Sequence, residues 1–301
     1  MIRLGTRGSA LALAQAQSIA DRLPSARLVP IATSGDRALR GDPSGPTPRR
    51  DSDKSRFVKE IEEALLAGEV DLAVHSAKDV PGELPAGLSI VGVPERADPL
   101  DALCGAASLS SLAEGAVVGT SSVRRRSQLL ARRPDLDVRQ LRGNVDTRLR
   151  RLREDGFDAI VLALAGLQRL DRGDEGVALA ELVPAPGQGC LALEARSDDA
   201  ATSGSAAALT DRDALVALTA ERALVAALGA TCHTPIGAYA RLHGRALHLT
   251  AFVGLPDGSH WIRDELVGDS TDPAALGREA AGRLEAAGAR EVLAEAEALA
   301  G

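Results

Sequence analysis

The chain has 301 residues, 45% of them hydrophobic and 26% charged, with a formal net charge of -7. That length leaves room for two or three domains, the balance is that of a folded chain rather than a disordered one, and the acidic total disfavours non-specific nucleic-acid binding. Three cysteines without a CxxC pair and five histidines without an HExxH argue against a disulfide framework and a zinc ribbon, and no apolar run approaches a membrane span.

Aromatic residues make up only 2% of the chain, so its core must rest on Ala, Leu and Val. The opening Met1-Ile2-Arg3-Leu4-Gly5-Thr6 has a strand pattern rather than a charged-then-apolar leader, and the expected location is the cytoplasm. After the strand at 2–6, Arg7-Gly8-Ser9 leads into a helix over 10–23 with Ser9 as N-cap. Free N–H groups at a helix start, with Arg7 and Ser9 beside them, make a compact anion site. A second strand covers 26–32. Residues 34–54 are rich in Gly, Pro, Asp and Arg without periodicity and read as a mobile loop. A helix over 57–67 closes at Gly68, and a buried strand over 70–74 runs into Val74-His75-Ser76-Ala77-Lys78-Asp79-Val80-Pro81. In open α/β sheets ligands sit at this carboxyl end of the strands.

Another strand at 89–93 is followed by Arg96-Ala97-Asp98-Pro99, which reads as a crossing into a new unit. Strands at 116–119, 138–141 and 159–163 alternate with helices ending near 132, 154 and 170, the pattern of a parallel sheet with crossover helices. Pro184-Ala185-Pro186-Gly187-Gln188-Gly189 is a turn-rich hinge candidate, and 191–195 returns to strand. Residues 198–208 are polar and Ala-rich and read as surface. An amphipathic helix over 211–228 precedes three strands (236–242, 247–254, 261–267) and a helical tail over 273–300, an α+β region of different character.

Three constellations carry chemistry. Lys78 and Asp79 stand side by side at a strand end, where a carboxylate can move a proton or stabilise a developing cation; alone, the dipeptide reads first as a solvated turn. From 119 to 153 there are eleven arginines against three acids. Gly119-Thr120-Ser121-Ser122-Val123-Arg124-Arg125-Arg126 and Leu141-Arg142-Gly143-Asn144-Val145-Asp146-Thr147-Arg148 each place hydroxyls or free N–H groups and arginines at a helix start, a design for gripping carboxylate or phosphate. The bland alternative is a solvated basic face. In Ala230-Thr231-Cys232-His233-Thr234-Pro235-Ile236-Gly237, Cys232 is a nucleophile or attachment point, or else an inert buried thiol.

Together these segments resemble the porphobilinogen deaminase (hydroxymethylbilane synthase) family. The likeness runs over 2–293, on Thr6-Arg7-Gly8-Ser9, 74–81, 119–129, 141–149, Asp158-Ala159-Ile160 with Ala165-Gly166-Leu167, 186–189 and 230–237. It implies an α/β fold: two lobes of the type II periplasmic-binding-protein kind with the active cleft between them, and a smaller α+β C-terminal domain. Domain 1 is expected over 1–95 and 190–212, domain 2 over 98–187 and domain 3 over 213–301. The implied activity is a deaminating transferase of haem biosynthesis. It condenses four porphobilinogen molecules head to tail with loss of ammonia, then releases hydroxymethylbilane by hydrolysis.

By resemblance, Cys232 carries one dipyrromethane cofactor through a thioether, and Asp79, with Lys78, is catalytic, expelling the amine and stabilising the azafulvenium cation. Cofactor contacts fall on Ser76, Lys78, Asp79, Thr120, Ser121, Ser122, Arg124, Arg125, Arg142, Gly166 and Gln188, and substrate contacts on Arg7, Ser9, Lys54, Arg148 and Arg169. Each pyrrole brings two carboxylates, which accounts for the arginine excess. Lys54 stands where the family has a lysine in a glycine-rich segment, although the loop around it is longer here. The resemblance further implies a monomer without metal, membrane or nucleic-acid partner. The competing reading is a two-lobed anion-binding protein without catalysis.

Overall fold

The computed structural model describes residues 1–35, 57–229 and 234–300. Lys54, Cys232 and the expected loop over 34–54, beyond its first two residues, lie outside the described residues. The chain divides into two compact units, Met1–Ala97 with Cys190–Leu215 and Asp98–Gly189 with Val216–Gly301.

In the first unit, β1 (Ile2–Arg7), β2 (Ala26–Ile31), β3 (Leu72–Ser76), β4 (Leu88–Gly92) and β10 (Leu191–Arg196) form one sheet in the order β2-β1-β3-β10-β4. β1 is parallel to β2 and β3, while β10 runs antiparallel to β3 and β4. Alternation along β3 sorts its residues to two faces. Leu72 and Val74 join Leu4, Leu191, Leu193 and the buried side of α1 (Ala10–Ala20) in one core. Ala73 joins Ile61, Ala64 and Leu65 of α2 (Lys59–Leu66) in another.

In the second unit, β5 (Asp101–Cys104), β6 (Val117–Gly119), β7 (Asp137–Arg139), β8 (Ala159–Ala163) and β9 (Val177–Leu179) lie in the order β7-β6-β8-β5-β9. The order repeats that of the first sheet: three parallel strands, then an antiparallel one supplied from elsewhere in the chain. The crossovers are α3 (Val123–Arg132), α4 (Val145–Glu154) and the short α5 (Leu164–Gln168).

α6 (Ala200–Ala207) belongs to the first unit, where the sequence suggested a surface segment. Its Thr202 and Ala206 are buried, and a Cβ on Gly92 of β4 would lie 2.6 Å from the Ala206 carbonyl oxygen. Glycine therefore lets helix and strand approach closely. α7 (Arg212–Ala227) follows. The C-terminal region is an antiparallel sheet of β11 (Ile236–His243), β12 (Ala246–Gly254) and β13 (Trp261–Asp269), backed by α8 (Pro273–Ala286) and α9 (Ala289–Ala300) around an Ala/Leu/Val core. Buried Glu221 of α7 accepts hydrogen bonds from Gly187 N at 2.6 Å and Ala240 N at 2.8 Å, tying the 184–189 turn to β11. Among the described residues, no helix is long and apolar enough to cross a membrane.

Candidate active site

β1 and β3 are parallel neighbours, with Leu4 opposite Leu72, so their carboxyl ends lie side by side in the first unit. At the end of β1 the Arg7 guanidinium lies over the Phe57 ring, 3.9 Å from its centroid. Ser9 caps α1 by accepting from Ala12 N at 3.3 Å, and Thr6 Oγ1 donates to the Ala12 carbonyl at 3.1 Å. At the end of β3, Ser76 leads into a 3₁₀ turn, Ala77–Asp79. Ala77 N donates to Cys190 O at 3.0 Å and Val80 N to Ala77 O at 3.3 Å. Ala77 and Val80 are buried, while Lys78 and Asp79 between them are half-buried. The apolar pair roots the turn.

The second unit holds the other predicted donors. Thr120 N donates to Arg139 O at 3.0 Å, and the Ser121 hydroxyl to Leu141 O at 2.5 Å, which joins the loops after β6 and β7. Ser122 caps α3 and Asn144 caps α4. Gly143 between them has φ of 123°, and a Cβ there would lie 2.8 Å from Thr147 Cγ2. Arg142 is exposed beside it, Gly166 is buried in α5, and Arg169 donates to Gly189 O at 2.7 Å.

Arg124 and Arg125 are engaged inward. Arg124 donates to both oxygens of Asp101 at 2.7 and 3.1 Å and to Val183 O at 2.7 Å. Arg125 donates through Nε to Asp101 Oδ1 at 2.9 Å and to Val161 O at 2.8 Å. Gln188 Nε2 adds a bond to Asp101 Oδ1 at 2.9 Å and one to Pro99 O at 2.7 Å. Burial alone would push the Asp101 carboxyl up, but the two guanidiniums outweigh it and hold the group well below the usual carboxylate range. Asp101 is the functional-site support that sequence reasoning missed; an acid at the head of the apolar Ala102-Leu103-Cys104 was its only signal.

Arg148 lies close enough to Arg125 for the two charges to repel. Burial, then that repulsion, pulls its guanidinium down to about 10. Its Nε is buried without a hydrogen-bond partner among the described residues, as is Arg124 Nε. Buried charged donors left unsatisfied are costly, and an anionic ligand relieves that cost. Arginines with spare N–H capacity fit a ligand that carries several carboxylates. The structure thus brings Thr120, Ser121, Ser122, Arg125 and Arg148 into one neighbourhood and, in the other unit, places the turn with Lys78 and Asp79 at the end of the strand next to the one that ends at Arg7.

Two family models match the chain: the porphobilinogen deaminase dipyromethane cofactor binding domain over residues 2–204, and the porphobilinogen deaminase C-terminal domain over 215–286. The porphobilinogen deaminase of Thermus thermophilus is 46% identical over 98% of this chain and 99% of its own length. That of Paracoccus denitrificans is 47% identical over 94% and 93%. Among solved structures, a TRAP periplasmic solute binding protein from Desulfovibrio salexigens aligns with 69% of this chain and 72% of its own at 10% identity and a TM-score of 0.39.

Proposed function

The chain belongs to the porphobilinogen deaminase family, enzymes of tetrapyrrole biosynthesis that use a dipyrromethane cofactor, and from that premise we propose how its own residues divide the reaction. The transferase joins four porphobilinogen molecules head to tail, each losing ammonia, and hydrolysis releases hydroxymethylbilane. Dipyrromethane, when bound, supplies the pyrrole terminus to which new units are added. Cys232 holds it through a thioether, with Ser76, Thr120, Ser121, Ser122, Arg124, Arg125, Arg142, Gly166 and Gln188 around it. The buried Nε atoms of Arg124 and Arg148, without a hydrogen-bond partner among the described residues, support an anionic ligand near these arginines.

Asp79 is the proton-handling group. As the C–N bond of the aminomethyl arm breaks, the amine leaves with a proton as ammonia and positive charge develops on the pyrrole. A carboxylate held next to that charge lowers the barrier, and most of all where water is excluded. Lys78, its neighbour on the turn, takes a substrate carboxylate, as do Arg7, Ser9, Lys54, Arg148 and Arg169. The carbon–carbon bond forms with loss of the pyrrole α-proton, and water replaces the nucleophile in the last step. The observation that carries this reading is the placement of Lys78 and Asp79 together on a turn rooted by buried Ala77 and Val80 at the carboxyl end of β3.

The reading extends to a monomer working in the cytoplasm, with no nucleic-acid partner, and to three domains over 1–95 with 190–212, 98–187 and 213–301. The net charge of -7 supports the absence of nucleic acid. The test is release of ammonia and bilane from porphobilinogen. Asp79→Ala should abolish turnover while the circular dichroism spectrum stays unchanged; near-normal turnover removes Asp79 from this role.

A further inference from the structure

Beyond the residues assigned to the reaction, α3 buries a side-chain amide against the segment that leads to Gln188. Gln128 stands one turn after Arg124 on α3, so the two side chains share a face. Both reach Val183, and all three residues are buried. A glutamine amide offers an acceptor oxygen and N–H donors in one plane. Gln128 uses both kinds on a single residue: Val183 N donates to its Oε1 at 2.7 Å, and its Nε2 donates to Val183 O at 2.9 Å. That is the exchange a neighbouring strand would make, supplied here by a side chain. Arg124 Nη1 donates to the same carbonyl at 2.7 Å and to Asp101 Oδ2 at 2.7 Å.

From Val183 the chain runs on as a strap with an anchor at nearly every step. Pro184 O accepts from Ala238 N at 3.0 Å, Gln188 N donates to Ala185 O at 2.9 Å, and Gly187 N donates to Glu221 at 2.6 Å. A Cβ on Gly237 would lie 2.9 Å from both Cβ and the carbonyl oxygen of Val183, so glycine lets β11 close against the start of the strap. The strap ends at Gln188, whose Nε2 meets Asp101 Oδ1 at 2.9 Å. The contacts form a ring: Gln128 to Val183, along the strap to Gln188, through Asp101 to Arg124, and back to Val183. Two members of that ring, Arg124 and Gln188, are the ones given to the dipyrromethane. Gln128 itself is fully enclosed and acts only through its neighbours. An apolar side chain of the same size would fill the space, but it would leave the polar groups of Val183 free to turn.

We propose that Gln128 is a positioning residue of the reaction: by holding both polar groups of Val183 it fixes the carbonyl on which Arg124 rests and the strap that ends in Gln188, and so keeps both contacts aimed at the dipyrromethane. The proposal rests on the assignment of Arg124 and Gln188 to that group given above. Without the amide, the buried Val183 N–H loses its acceptor and the peptide turns to regain one. Arg124 then loses the carbonyl from its set of acceptors, and Gln188 loses its fixed distance from Asp101. A ligand held by these two side chains is displaced from the incoming unit, and a small displacement at a bond-forming centre costs rate.

The test uses the full-length, cofactor-loaded protein, with loading read from its intact mass. Gln128→Met keeps the volume and removes both bonds to Val183. Amide hydrogen exchange over 183–188 should speed up about tenfold or more, while exchange over β12 and α8 stays within about twofold of the wild type. Porphobilinogen turnover, as kcat per loaded molecule, should fall roughly ten- to hundredfold with KM within about twofold. Faster exchange with wild-type kcat leaves Gln128 a stability residue and overturns the proposal. Unchanged exchange over 183–188, or a loss confined to KM, overturns it as well. If Gln128→Met does not fold, Gln128→Asn, whose amide is one methylene too short to meet both groups of Val183, decides by the same readings. Arg124→Met separates this proposal from the assignment beneath it. If that variant loads and turns over like the wild type, both fall; if it is impaired while Gln128→Met keeps wild-type kcat, only the role of Gln128 falls.

Discussion

Asp101→Asn removes one charge from the centre of the second unit and almost no volume. In the wild type, Asp101 is fully buried and accepts from Arg124, Arg125 and Gln188. The amide leaves two buried guanidiniums without their counter-ion and turns an NH₂ group toward donors. Breaking a buried ion pair by removing one partner costs about 3–5 kcal/mol. Spread over a unit of this size, at about 2–4 °C per kcal/mol, that is a drop in Tm of roughly 6–20 °C. Differential scanning calorimetry of the two proteins measures it. The folded Asp101 is depressed below its ordinary value of 3.8, so its stabilisation is fully present above that value and is lost only as pH falls below it. The gap between wild type and variant should therefore hold constant from about pH 8 to about pH 5 and close only in stronger acid. A Tm change under about 2 °C at neutral pH would refute the assignment of Asp101 as the counter-ion that holds this site.

Arg148 should separate stability from activity: Arg148→Met removes a poorly satisfied buried cation, so Tm should hold or rise while kcat/KM falls at least tenfold, and a lower Tm would contradict this. Glu62, raised from 4.5 to about 7 in the fold, favours folding below 4.5 and loses that contribution as pH climbs through about 7; urea unfolding at several pH values should show this slope in the wild type and not in Glu62→Gln. Gly143→Ala forces a Cβ onto Thr147 at φ of 123°, which should cost about 1–3 kcal/mol in thermal melts and raise KM, since the loop carries Arg142; an unchanged KM would detach that loop from substrate binding.

The strand–loop–helix rhythm made the parallel strands of both sheets legible in the sequence, because apolar runs such as Ala159-Ile160-Val161-Leu162 alternate with helices whose starts are marked by caps such as Ser122 and Asn144. The turn after β3 was legible as well: an apolar strand running into Lys78-Asp79 has one place to go. β5 was not, because its four residues after Pro99 are too few to display a period. α6 was missed because alanines and small polar residues bury little apolar surface, and only its approach to Gly92 shows the packing. The inward turn of Arg124 and Arg125 depends on Asp101, more than twenty residues earlier, and local pattern does not encode a pairing across that distance. The same holds for His75 and Glu194, which meet only because β10 returns to pair with β3.

The most direct test of the account is the intact mass of the purified, denatured protein. A covalent cofactor survives denaturation, so the active protein should weigh more than its 31.1 kDa chain by one dipyrromethane, and Cys232→Ser should weigh only its own sequence. Active wild-type protein at the bare chain mass, or the same adduct on Cys232→Ser, would contradict it.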